Sequence, residues 1–382
     1  YNNLGVIYNK LGYLEEAVRS YEEALNIDPD YADAHNNLGA VLGKMGLAID
    51  AVKSFEKAID LMIKTLTTNP DDFNTLNNLG IAFFETKYFE ESMISYQKAL
   101  AIQPNLADVW NNLGTVFQKL NQYEDAIKSF EKAYGIKPEI DYILGNILGA
   151  KMNCCNWDDL AELLDDAKKR IVNNEKVIDL YTLTGLIDDP ALQRKAAELF
   201  TQYHYPKKKS LTLIDRYPKH PKIRIGYFSA DFREHPVGFL TAELYELHDQ
   251  NHFEIHAFSL DPDSTIDHIN LRIKSGVNYF HDMQSMSHQE IVKYARSFEI
   301  DIAIDLGGFT QDTRTGIFAM RAAPIQVNYL GYSSTMGANY IDYIIADSIL
   351  IPKKMQECYS EKVVYMPNSF MVNDTKKKIS KR

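Results

Sequence analysis

Asp231 and His235 stand four positions apart in Ser229-Ala-Asp-Phe-Arg-Glu-His235, directly ahead of Pro236. Histidine is the side chain best suited to moving a proton near neutral pH, and a carboxylate beside it orients the ring or raises its basicity. The spacing also admits a plainer reading, in which His235 caps a helix starting at Pro236 and Asp231 ties the turn. Two more segments have the residue types of a ligand turn, Gly307-Gly-Phe-Thr310 and Gly331-Tyr-Ser-Ser-Thr-Met-Gly337. Glycine permits close backbone approach to a ligand, and hydroxyls supply polar contacts. The sequence holds no Walker loop and no dinucleotide fingerprint. Its three cysteines, Cys154, Cys155 and Cys358, lack metal-ligand spacing. We read them as reduced residues of a cytosol-like compartment, with no metal site.

The elements around these turns follow from the change of period after Lys222. Strands are predicted over Ile223–Ser229, Phe253–Leu260, Tyr279–Asp282, Asp301–Leu306, Ile325–Leu330, Tyr343–Ala346 and Val363–Tyr365. Helices are predicted over Pro236–His248, up to Lys274, over His288–Phe298 and over Gly316–Arg321. Strands alternating with helices imply a parallel sheet covered on both faces. Ligands of such sheets sit beyond the carboxyl ends of the strands, where all three turns fall.

The first part of the chain is a different object. Asn-Asn-Leu-Gly occurs at Asn2–Gly5, Asn36–Gly39, Asn77–Gly80 and Asn111–Gly114, in steps of 34, 41 and 34 residues. Each copy is followed by a small residue (Ala17, Ala51, Ser92, Ala126), an aromatic (Tyr21, Phe55, Tyr96, Phe130), an alanine and a closing proline. A 34-residue period in this order resembles the tetratricopeptide repeat, a helix–turn–helix unit. The long step places seven extra residues before Pro70, about two helical turns, which lengthens a helix without rotating its faces. Asn3, Asn37, Asn78 and Asn112 recur at one position. They either pack locally or line up along a concave face, where an amide offers both donor and acceptor to a peptide backbone.

Composition limits the function classes. The chain has 382 residues and a net charge of −11, and residues 1–150 hold 12 Lys and Arg against 21 Asp and Glu. That acidity argues against a nucleic-acid partner. No apolar run is long enough to span a membrane. We expect repeats over 1–138, a degenerate repeat or helical connector over 139–205, a linker over 206–221, an α/β lobe over 222–372 and a further connector over 373–382.

Taken together, the repeats, Lys222-Ile-Arg-Ile-Gly-Tyr-Phe-Ser-Ala-Asp-Phe-Arg-Glu-His-Pro236, Ala323-Pro-Ile-Gln-Val-Asn-Tyr-Leu-Gly-Tyr332 and Tyr359-Ser-Glu-Lys362 resemble the O-linked N-acetylglucosamine transferases, bacterial and Spindly-type members most closely. The resemblance implies a tetratricopeptide superhelix followed by the Rossmann-like N-terminal lobe of a B-type glycosyltransferase. Such enzymes move a sugar from a nucleotide donor, here UDP-GlcNAc, to Ser or Thr of proteins, with inversion and without metal or cofactor. It makes His235 and Asp231 the catalytic candidates, Leu330 and Gly331 the sugar-contacting turn, and Asn3, Asn37, Asn78 and Asn112 the acceptor-peptide ladder. Two positions depart from animal-type members. Val237 stands where those place Thr, and no His occurs between Asp179 and Ala191.

The resemblance also implies a second, nucleotide-holding lobe beyond residues 373–382. Tyr1, matching Trp110 in the repeat frame, leads us to expect more repeat upstream. On that expectation the chain alone folds and does not transfer sugar. A Spindly-type O-fucosyltransferase and a repeat scaffold with a vestigial lobe are the alternatives.

Overall fold

The computed structural model describes residues 1–206, 214 and 217–376; Lys207–Lys209 of the expected linker, and residues 377–382 of the expected connector, lie outside them. The chain divides into two compact units, Tyr1–Leu186 and Ile187–Arg382. Among the described residues, no helix is long and apolar enough to cross a membrane.

The first unit is helical throughout: α1 (Asn2–Lys10), α2 (Leu14–Ile27), α3 (Ala32–Lys44), α4 (Ala48–Thr68), α5 (Phe73–Glu85), α6 (Phe89–Ile102), α7 (Ala107–Lys119), α8 (Tyr123–Ile136), α9 (Ile143–Asn153), α10 (Leu160–Val172) and α11 (Leu180–Leu186). Paired helices approach closely because a glycine in one receives an aromatic ring from the next. A Cβ on Gly5, Gly80 or Gly114 would meet Tyr21, Tyr96 or Phe130 at 2.5 Å, and one on Gly39 would meet Phe55 at 3.0 Å. Ser92 takes the small-residue slot of its repeat and donates to Gly80 O at 2.7 Å. The prolines stand two residues past each second helix, where they cannot continue it. Helix α4 runs 21 residues where α2, α6 and α8 run 14, so the insertion extends one helix.

The repeat frame continues past Pro138. Asn146-Ile-Leu-Gly149 in α9 occupies the next place in the array. Asn146 Nδ2 donates to Asn111 Oδ1 at 3.1 Å, and a Cβ on Gly149 would meet Thr182 of α11 at 3.1 Å.

The second unit opens with α12 (Pro190–His204) and continues β1 (Ile223–Ser229), α13 (Pro236–Leu247), β2 (Phe253–Ser259), α14 (His268–Gly276), β3 (Tyr279–Asp282), α15 (His288–Ser297), β4 (Ile302–Asp305), α16 (Gly316–Ala319), β5 (Ile325–Asn328), β6 (Tyr343–Ala346) and β7 (Lys362–Tyr365). A 3₁₀ turn at Lys353–Cys358, absent from the sequence reading, joins β6 to β7. All strands are parallel, in the order β3-β2-β1-β4-β5-β6-β7. Strand order reverses between β1 and β4, which opens a crevice at their carboxyl ends.

One boundary moves. Helix α12 was expected in the connector 139–205, and it belongs to the lobe. Asp189 caps it through Leu192 N at 3.0 Å. Thr201 Oγ1 donates to Met336 O at 2.7 Å. The Gly337 Cα lies so close that a Cβ there would meet Glu198 N at 2.3 Å. The connector 373–382 also begins anchored: Thr375 Oγ1 donates to Glu243 of α13 at 2.8 Å, and Asp374 pairs with Arg272 of α14, with Oδ1 3.1 Å from Nη2.

Candidate active site

Three turns meet at the carboxyl ends of β1, β4 and β5, the centre of the sheet. The first carries Asp231 and His235. The Asp231 side chain is 9% exposed and that of His235 41%. Asp231 N donates to Ser229 Oγ at 2.9 Å, which folds the turn back over the strand end. His235 caps α13, with Nδ1 accepting from Val237 N at 3.3 Å. The same Nδ1 lies 3.5 Å from Asp231 Oδ2. Both sequence readings of the pair therefore meet at one nitrogen. While Nδ1 accepts from Val237, the neutral ring carries its proton on Nε2 and presents a donor to the cleft. Turning Nδ1–H toward Asp231 instead leaves Nε2 as an acceptor.

Burial raises the Asp231 carboxyl above its usual range; His235 and then Arg233 oppose that shift. Arg233 reaches Asp231 and Asp261 at 3.8 Å each. The sequence reading did not single out Arg233, Asp261 or Gly238. A Cβ on Gly238 would meet Arg233 O at 2.2 Å, so only glycine lets the turn cross the first coil of α13. A glycine inside a helix start was the available signal.

The second turn is built on Asp305, whose Oδ1 accepts from Gly307 N and Gly308 N at 3.0 Å each. Gly308 has φ +61° and abuts Tyr332. Phe309 is held by Phe200 at 5.1 Å and Tyr332 at 5.3 Å between ring centres. In the third turn Leu330 adopts φ 75°. Gly331 N donates to Leu306 O at 3.1 Å, and a Cβ on Gly331 would meet that oxygen at 2.1 Å. Close packing against β4 alone accounts for glycine at 331.

Three of the four candidate asparagines have partners within the repeats. Asn37 Nδ2 donates to Asn2 Oδ1 at 3.0 Å and Asn78 Nδ2 to Asp33 Oδ1 at 3.0 Å. Asn112 hydrogen-bonds the Tyr96 side chain, and Asn3 is exposed. The local reading therefore describes part of what these amides do. A 390 Å³ groove between repeats is lined by Asn77, the first asparagine of its pair, together with Phe73, Leu106, Asp108 and Lys137. Asn77 Oδ1 is buried there without a partner among the described residues. A larger depression of 540 Å³ lies at the opposite, amino edge of the sheet beside Asp301, Asp342 and Lys362. Its carboxylates bind Arg224 N at 2.9 Å and Gln326 N at 2.8 Å and tie the strand starts together.

Residues 179–381 match the profile of glycosyl transferase family 41. Residues 1–46, 30–105 and 107–139 match tetratricopeptide repeat profiles. The chain is 38% identical over 157 residues, 41% of its length, to a probable UDP-N-acetylglucosamine–peptide N-acetylglucosaminyltransferase (SEC) of Arabidopsis thaliana. It is 32% identical over 238 residues, 58% of its length, to a Caenorhabditis elegans protein described by the same activity. A probable relative called SPINDLY, from Arabidopsis thaliana, is 26% identical over 54% of the chain and 23% of its own length. The chain covers only 16% and 20% of the first two relatives. An O-GlcNAc transferase mutant from Thermobaculum terrenum has the same fold, with TM-score 0.55 and 23% identity over 89% of this chain and 59% of that one. With more than half of its residues matched by that profile, this chain belongs to glycosyl transferase family 41, its catalytic-type lobe preceded by tetratricopeptide repeats.

Proposed function

We propose that the protein is an O-GlcNAc transferase, moving N-acetylglucosamine from UDP-GlcNAc to Ser or Thr of proteins chosen by the repeats. The observation that carries this is the placement of Asp231 and His235 at the switch point of a family 41 lobe. Transfer with inversion needs the acceptor oxygen to attack the anomeric carbon while UDP departs and the hydroxyl proton passes to a base. In the described geometry His235 Nε2–H is a donor, suited to an oxygen of the nucleotide sugar; with Nδ1–H turned to Asp231 instead, Nε2 is the acceptor that takes the hydroxyl proton. Leu330 and Gly331 border the sugar and fix how far the backbone stands from it. Asn3, Asn37, Asn78 and Asn112, with Asn77 in the groove, contact the acceptor peptide. The reaction needs no metal or cofactor in this reading. The test is sugar transfer by the full-length protein with UDP-GlcNAc and GDP-fucose in parallel. Transfer from UDP-GlcNAc supports the proposal; transfer from GDP-fucose alone replaces it with the fucosyl reading.

A further inference from the structure

Two acceptor oxygens are buried together at the centre of the sheet. Asp305 ends β4 and Asn328 ends β5, and the two are paired in register. Their side chains therefore leave the same face on neighbouring strands. Asp305 is 4% exposed and Asn328 0%. Asp305 Oδ1 is occupied by Gly307 N and Gly308 N. Asn328 Nδ2 donates to Tyr332 O at 2.9 Å and Ser334 O at 3.4 Å. Those two carbonyls fix the amide orientation, since a flipped Asn328 would set its own oxygen against them. What remains is Asp305 Oδ2 and Asn328 Oδ1, both buried and both without a partner among the described residues. An ionised Asp305 would leave two desolvated acceptors side by side, which is unfavourable for each. One hydrogen satisfies both.

We propose that Asp305 keeps its proton and donates from Oδ2 to Asn328 Oδ1, joining the two turns that border the cleft. Through Oδ1 it holds Gly307 and Gly308; through Asn328 it holds Tyr332 and Ser334. The surroundings suit a neutral acid. Burial pushes the Asp305 carboxyl up to about 6, against the Gly308 and Gly307 N–H groups that hold it down. An acceptor for the acid proton raises it further. The titratable groups facing it are Tyr205, after α12, and Tyr340, before β6; burial and then the charge on Asp305 raise Tyr205, and burial, Tyr205 and Asp305 raise Tyr340. The Tyr340 hydroxyl donates to Tyr205 O at 3.2 Å. From β1 the register neighbour is Phe228, which is apolar. The Asp305–Asn328 bond belongs to the architecture of the cleft and is independent of the sugar transferred.

Asp305→Asn separates the possibilities. It keeps an acceptor for Gly307 and Gly308 and places an N–H where the acid O–H is proposed; Asp305→Ala removes both. Urea midpoints of the two variants and the parent would be compared at pH 5 and pH 8, with an infrared difference spectrum of parent against Asp305→Asn at pH 5. The expected result is an Asn variant at or above the parent, with the larger gap at pH 8, and an Ala variant below both. The difference spectrum should show the carbonyl band of a protonated carboxylic acid. An Asn variant as unstable as the Ala variant at both pH values overturns the proposal. So does a spectrum with carboxylate bands alone, which would mean an ionised Asp305 bridged by water or a cation.

Discussion

Replacing Gly331 with alanine tests the geometry of the cleft with one methyl group. The new Cβ would lie 2.1 Å from Leu306 O, 3.2 Å from Leu306 C and 3.4 Å from the Gly307 Cα, all of them backbone. No side-chain rotation relieves such a contact, so the turn must move away from the end of β4 by about an ångström. Overpacking of that kind costs about 1–3 kcal/mol. The move also weakens the bond from Gly331 N to Leu306 O, now 3.1 Å, worth about 1 kcal/mol. The sum is roughly 2–4 kcal/mol, or a fall of about 4–16 °C in melting temperature for a unit of this size. Calorimetry should show the loss in one transition, because the second unit has its own core. Gly43→Ala in α3 is the control: nothing lies within 4 Å of its Cβ, and the change should stabilise by about 0.5–1 kcal/mol. If Gly331→Ala melts within a degree of the parent, the close approach is not there.

Acid should loosen the far edge of the sheet. Tyr294 OH donates to His281 Nδ1 at 3.2 Å, His281 Nε2–H to His256 Nδ1 at 3.0 Å, and His256 Nε2–H to Glu254 at 3.1 Å, a chain that requires both rings neutral. Burial and then His256 lower His281 to about 4, so the unfolded chain takes up this proton first and stability is lost as pH falls from 6.5 toward 4. With allowance for screening by nearby solvent, the loss is about 2 kcal/mol. His281→Gln should flatten the urea midpoint over that range, and a parallel decline in both proteins would refute the assignment. In the repeats, Asn78→Ala should cost about 1 kcal/mol through its bond to Asp33 and weaken protein acceptors more than this stability loss explains. Peptide titration with normal affinity would confine Asn78 to a structural role.

The sheet was legible because its strands are short apolar runs closed by Gly, Asp or Pro. Tyr279–Asp282 and Tyr343–Ala346 match residue for residue. The repeats were legible because four copies share one frame. The fifth copy reads only as a degenerate repeat because Ile147 stands where the others have their second asparagine, and its glycine meets Thr182 in place of an aromatic. Helix α12 was assigned to the wrong side because its contacts with Met336 and Gly337 are more than 130 residues away in sequence. The pairing of Asp305 with Asn328 was invisible for a related reason. Each reads as the polar end of an apolar strand, and only the register of β4 against β5 sets them side by side. The capping of α13 by His235 was foreseen as one alternative; that its Nδ1 also faces Asp231 could be learned only from the geometry.

The central claim is that His235 meets the nucleotide sugar while it caps α13. Transfer from UDP-GlcNAc to a protein acceptor, measured for the full-length protein and its His235→Asn and His235→Ala variants, tests it most directly. Asparagine caps a helix as well as histidine does, so its stability should stay near the parent's, whereas alanine should lose about 1 kcal/mol. Both variants should lose roughly 10²-fold or more in kcat, as expected when a group that acts in the transition state is removed. An Asn variant with parental kcat and parental stability would show that His235 is only a cap and would move the chemistry elsewhere in the cleft.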